Sequence, residues 1–128
     1  MKPRPAMFLC SLVLLTLSAT VLAGELPFNR AQFEQAQAAG KPVVLFFHAD
    51  WCPTCRVQQP ILQRLSAEPQ LQPVTIFVAD FDSEVALEKT LHVAQQSTLV
   101  VFRQGREVTR STGQTSEPAL RATLQQAL

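Results

Sequence analysis

Cys52 and Cys55 stand two residues apart in "HADWCPTCRVQQP", residues 48–60. Two thiols at that spacing can be cycled between dithiol and disulfide, or they can bind a metal. In the redox case the thiolate is the attacking species, so whatever lowers the thiol pKa raises reactivity. A helix N-terminus favours negative charge, because its first N–H groups lack partners within the helix. A helix starting here puts Cys52 at its N-terminus as an exposed nucleophile. Cys55, one turn in, is then the more buried thiol and resolves the mixed disulfide. Pro53 suits a first helical turn, where its missing N–H needs no partner. Thr54 adds a hydroxyl near the sulfurs. Arg56 adds a positive charge directed to solvent.

The same spacing occurs in zinc sites, but a structural zinc site takes four ligands. Apart from Cys10, the chain offers Cys52, Cys55, His48 and His92. His48 lies four residues before Cys52, and His92 lies far along the chain. Packing or surface roles account for both histidines more simply. A purely structural disulfide is the weaker reading too, since a loop this short gives little cross-link stabilisation.

The elements around the pair place it where the redox reading requires. "VVLFFHA", residues 43–49, is a continuous apolar run rich in β-branched and aromatic residues. Such a run suits a strand buried on both faces. "CRVQQPILQRLSAE" reads as a helix with Val57, Ile61, Leu62 and Leu65 on one side and a kink at Pro60. The pair therefore sits where a buried strand ends and a helix begins.

"FNRAQFEQAQAAGKP" reads as an earlier helix with Asn29 as cap and Gly40 and Pro42 as its stop. "VTIFVAD" (74–80) is a second buried strand, and "DSEVALEKTLHV" a short helix capped by Asp82 or Ser83. "TLVVF" (98–102), the turn "RQGR" and "EVTRS" form a hairpin. "TSEPALRATLQQAL" is a closing helix, with Thr115 or Ser116 as cap and a proline in its first turn. The order α-β-α-β-α-β-β-α implies an α/β fold: a small mixed four-stranded sheet with helices on both faces.

The start of the chain has a different character. Lys2 and Arg4 precede an apolar stretch from about Ala6 to Leu17, and "VLA" before Gly24 fits a small-residue cleavage site. Residues 1–23 read as a secretory signal peptide and residues 24–128 as one domain. If uncleaved, the 18 residues from Ala6 to Ala23 are just long enough to anchor the chain in a membrane. Cys10 lies inside it, without the small residues expected before a lipidated cysteine. Setting aside Lys2 and Arg4 leaves nine of the eleven basic residues against ten acidic ones, a net charge of about −1. No basic patch or charge run is present, so nucleic acid is not an expected partner. Export would place the cysteines where disulfides persist.

"KPVVLFFHADWCPTCRVQQP" resembles the active-site segment of the thioredoxin superfamily, a strand running into W-C-x-x-C and a helix with a kinking proline. The resemblance covers nearly all of residues 24–128, including the hairpin "FRQGREV". "ADWC" is similar to reductase domains that serve exported proteins, and "WCPTCR" to periplasmic thioredoxin-like proteins of cytochrome c maturation. It implies Cys52 as nucleophile and Cys55 as resolver. It implies a partner surface shaped by Trp51, Pro53 and Thr54.

Two positions depart from the family pattern. The buried acid that helps deprotonate the second cysteine, six residues before the first, is here Phe46. Asp50 is near in sequence but expected to face solvent, so slower resolution is expected. Aligning "STLVVF" with the family's "PTLLLF" puts Ser97 where a cis-proline packs on the disulfide. A cis bond before a non-proline residue costs about 2.5–4 kcal/mol, so a trans Gln96–Ser97 bond and an altered loop are expected. Gln96 inherits the position whose backbone meets the substrate chain. In the family that proline is held to keep metal away, so Ser97 gives weight to a copper(I)-binding or metallochaperone role, as thiolates select copper(I).

The resulting expectation is an exported thiol–disulfide oxidoreductase, periplasmic or secreted after cleavage. It would act as a monomer and need no cofactor or metal. It would act on protein thiols and disulfides, leaning to reduction with a membrane thiol reductase as electron donor. Copper(I) handling and an inactive binding module are the alternatives.

Overall fold

The structure, a computed structural model, describes residues 24–128. The proposed signal segment and Cys10 lie outside the described residues. Among the described residues no helix is long and apolar enough to cross a membrane.

The chain runs β1 (Glu25–Pro27), α1 (Arg30–Ala38), β2 (Val43–His48), α2 (Pro53–Ser66), β3 (Thr75–Asp80), α3 (Val85–Leu91), β4 (Thr98–Arg103), β5 (Arg106–Thr112) and α4 (Glu117–Gln125). The sheet has five strands in the order β1-β3-β2-β4-β5, not the four expected. The additional strand, β1, pairs in parallel with the outer edge of β3, Leu26 opposite Phe77. Three residues ending in proline carry no strand signal. They are extended because β3 offers an open edge, where a proline without an N–H is tolerated. β2 pairs in parallel with β3 and antiparallel with β4. The hairpin from β4 to β5 turns through Gln104 and Gly105, both at positive φ (51° and 76°), as a two-residue primed turn requires.

The run at 43–47 is fully buried because β2 is central and covered on both sides. Val44 and Phe46 face one cluster, with Ile61, Leu62 and Leu65 of α2 and Leu120 and Leu124 of α4. Val43, Leu45 and Phe47 face the other, with Phe77, Val100, Phe102 and Leu87. Phe33 of α1 closes that side, edge-on to Phe77 and Phe102 at ring-centre distances of 6.0 and 5.5 Å. Each helix thus needs only one apolar stripe, and α1 has no fully buried residue.

Three caps follow the sequence or correct it. Asn29 caps α1 by accepting the Gln32 amide at 3.0 Å. Ser116, not Thr115, caps α4 through the Ala119 amide. Neither Asp82 nor Ser83 caps α3: the cap position is Glu84, with no side-chain bond. Asp80 instead takes the Asp82 amide and holds the preceding turn.

Candidate active site

The two cysteines lie at the junction of β2 and α2. After His48 the chain turns so that the Cys52 amide donates to the Ala49 carbonyl at 3.1 Å. Cys52 has extended backbone (φ −82°, ψ 112°) and is the cap of α2, with Pro53 in the first turn. Its side chain does what a serine or aspartate cap does: Sγ accepts the amide of Cys55 at 3.1 Å. Both cysteines are free. An N–H aimed at sulfur from a helix start is the arrangement that supports a thiolate.

One expectation is overturned here. Cys52 is not exposed: 1% of its surface is accessible, against 0% for Cys55. The capping geometry is the cause. A cap side chain folds back over the first turn, which carries the sulfur inward onto the cluster that holds Phe46.

Cys55 is hard to ionise. Burial first, and the neighbouring Cys52 second, push its pKa up from 9.0 to about 11, while the backbones of Ala49 and Ser97 pull the other way. Phe46 shares the same apolar cluster and offers no base. It stacks edge-on to the His48 ring at 5.5 Å. The Asp50 side chain is fully exposed, with its carboxylate 3.8 Å from His48 Nδ1. Arg56 turns back, its Nε donating to the Asp50 carbonyl at 2.9 Å.

The loop before β4 departs from the family pattern as the serine requires. No cis peptide occurs among the described residues, and Ser97 has φ 58°. Its amide donates to the Phe47 carbonyl at 2.8 Å, a bond proline could not make. Its carbonyl accepts the Gly113 amide at 3.0 Å and Gln58 Nε2 at 3.2 Å. Ser97 is buried and Gln96 half-buried. Among the described residues Gln96 has no main-chain hydrogen-bond partner.

Gln58 is the site residue that sequence reading missed. It is 0% exposed, whereas Val57, assigned to the buried side, is 48% exposed. The signal was Cys55 itself: if it is inside, positions 58, 62 and 65 share its helical face and 57 does not. Asp82 was also missed as a site residue. Its carboxylate accepts Trp51 Nε1 at 2.8 Å and fixes an indole that is otherwise 54% exposed. Pro53 is exposed and Thr54 half-buried beside it. Cys52, Cys55 and the Ser97 loop thus come together, with Trp51 and Pro53 on the outer rim.

His92 is not part of this group. It ends α3, where its carbonyl accepts from Arg110. Among the described residues no group of three or more His, Cys, Asp or Glu side chains is placed to hold a metal ion. The zinc and copper(I) readings find no support in the arrangement.

The profile of the thioredoxin family matches residues 25–126. The thioredoxin of Chlamydia trachomatis is 36% identical over 85 residues, 66% of this chain and 80% of that protein. The thioredoxin of Alicyclobacillus acidocaldarius is 32% identical over 98 residues, 77% of this chain and 92% of that protein. The crystal structure of Trxlp from Edwardsiella tarda superposes with a TM-score of 0.76 at 43% identity, covering 80% of this chain and 98% of that one.

Proposed function

The chain belongs to the thioredoxin family and is a thiol–disulfide oxidoreductase; from that premise we propose that it is exported and reduces disulfides of protein substrates through Cys52 and Cys55. The Cys52 thiolate attacks one sulfur of the substrate disulfide, forming a mixed disulfide and releasing one substrate thiolate. Cys55 loses its proton and attacks the Cys52 sulfur. The second substrate thiolate leaves as the Cys52–Cys55 disulfide forms. The substrate gains two electrons and, with solvent protons, two thiols. A dithiol donor of the membrane thiol-reductase type returns the pair to its reduced state.

The observation that carries this reading is the Cys55 amide on Cys52 Sγ at 3.1 Å. It gives the two cysteines different tasks. Cys52 has a donor on its sulfur, and Cys55 is held neutral by burial until the mixed disulfide has formed. Trp51, Pro53 and Thr54 form the rim on which a partner docks, and Gln96 offers its free peptide groups to an extended chain. Export rests on the basic and apolar start of the sequence, which would leave a periplasmic or secreted monomer beginning at Gly24.

Insulin reduction by the full chain tests the chemistry. Cys52→Ser is expected to abolish it, and Cys55→Ser to accumulate the mixed disulfide. Activity surviving in Cys52→Ser would sink the assignment. The reduction potential of the pair tests direction: a value well above that of reducing thioredoxins would make the protein an oxidant. N-terminal sequencing of the protein from cell fractions tests export.

A further inference from the structure

Gln58 is an amide in a place built for an apolar side chain. It lies on the buried face of α2, one turn beyond Cys55, with 0% exposure. Nε2 donates to the Ser97 carbonyl at 3.2 Å and to the Gln114 carbonyl at 2.8 Å. The opposite amide orientation would set oxygen against two carbonyl oxygens, so the network fixes this one. Oε1 is then buried without a partner. A buried unpaired acceptor is unfavourable, which offsets part of what the two donated bonds contribute.

The two carbonyls explain its presence. One belongs to the loop ahead of β4, the other to the link between β5 and α4. Gln58 ties both to the helix that carries the thiols. Ser97 has its amide on Phe47 and its carbonyl shared by Gly113 and Gln58. With Ser97 held at both ends and its backbone meeting Cys55, the adjacent Gln96 keeps its peptide groups unpartnered.

We infer that Gln58 is a positioning residue, which through Ser97 holds the Gln96 main chain in register to pair with the extended segment of a protein disulfide substrate. This rests on the proposed exchange at Cys52 and Cys55. Gln58 touches neither substrate nor the reacting sulfurs in this role. Loss of its amide should weaken docking of a polypeptide and leave thiol chemistry intact.

The full-length Gln58→Met variant, close in volume and without donors, tests this against wild type on insulin and on cystamine, a small disulfide with no peptide backbone. The expected result is a KM for insulin raised about tenfold, the equivalent of one lost hydrogen bond. The cystamine rate and insulin kcat should be unchanged, although losing two donated bonds lowers urea stability. A purely structural glutamine would instead slow both substrates together. Equal loss on both substrates, or no change on either, overturns the inference. Gln58→Leu is the second variant, and failure of both to fold also overturns it. Wild type inactive on both substrates would instead sink the proposed exchange reaction.

Discussion

The amide of Ser97 donates to the carbonyl of Phe47 across 2.8 Å, and Ser97 itself lies at φ 58°. Both features exclude proline, which has no N–H and holds φ near −65°. Ser97→Pro therefore cannot simply restore the family's residue. It removes a buried bond and forces the loop to rebuild, with an expected loss of about 2–4 kcal/mol in urea unfolding. Ser97→Gly keeps the amide and relieves the left-handed backbone, so its stability should stay within about 1 kcal/mol of wild type. A Ser97→Pro variant as stable as wild type would show that the hydrogen bond does not hold the loop.

The raised pKa of Cys55 has a pH signature. The folded state favours the neutral thiol, ionising at about 11 against an ordinary 9.0. The stabilisation is complete below the lower value and is lost as pH rises through the higher one. Reduced protein should lose stability between about pH 9 and 11. Cys55→Ala should remove that part of the decline. Denaturation midpoints across this range, with thiolate absorbance on the same samples, make the check. A Cys55 thiolate titrating below its ordinary value would contradict the burial argument.

Phe46 separates packing from proton transfer. Phe46→Ala opens a cavity in the cluster beneath the cysteines and should cost about 3–5 kcal/mol. Phe46→Asp removes similar volume but adds a carboxyl whose own ionisation is disfavoured by burial, so it can serve as a base. Both variants should be destabilised, and only Phe46→Asp should shorten the lifetime of the mixed disulfide in a quenched-flow assay. Equal lifetimes in the two would show that the missing acid does not limit resolution.

How far these features can be read from sequence depends on which force sets each of them. β2, β3 and β4 are legible because central strands must be apolar throughout, and 43–47 and 98–102 leave no other reading. The thiol pair is legible because a proline after Cys52 and an apolar strand before it both mark a helix start. β1 is not legible: Glu25–Pro27 is extended only because β3 has a free edge, a fact of the assembled sheet. Gln58 was hidden because residue type was weighed above helical phase, although Cys55 fixes that phase. The inward turn of Cys52 was hidden for a third reason. Placement at a helix start supplies a donor for its sulfur, and accepting from that donor is what buries it.

Trp51 and Asp82 form a hydrogen bond that ties the rim of the site to the loop after β3, with Nε1 to Oδ2 at 2.8 Å. Both residues are exposed, so the bond is worth little to the fold. Asp82→Ala should change global stability by less than about 1 kcal/mol. Its local effect should be larger, because the indole is half in solvent with no other polar partner holding it. Trp51 is the sole tryptophan, so its fluorescence anisotropy reports this site alone. Asp82→Ala should lower that anisotropy in reduced protein, and Asp82→Asn, which keeps an acceptor, should restore most of it. If the rim is where partners dock, insulin KM should rise in Asp82→Ala and follow the anisotropy across the three proteins. Anisotropy that falls while KM stays fixed would show that the ordered indole is not part of the docking surface.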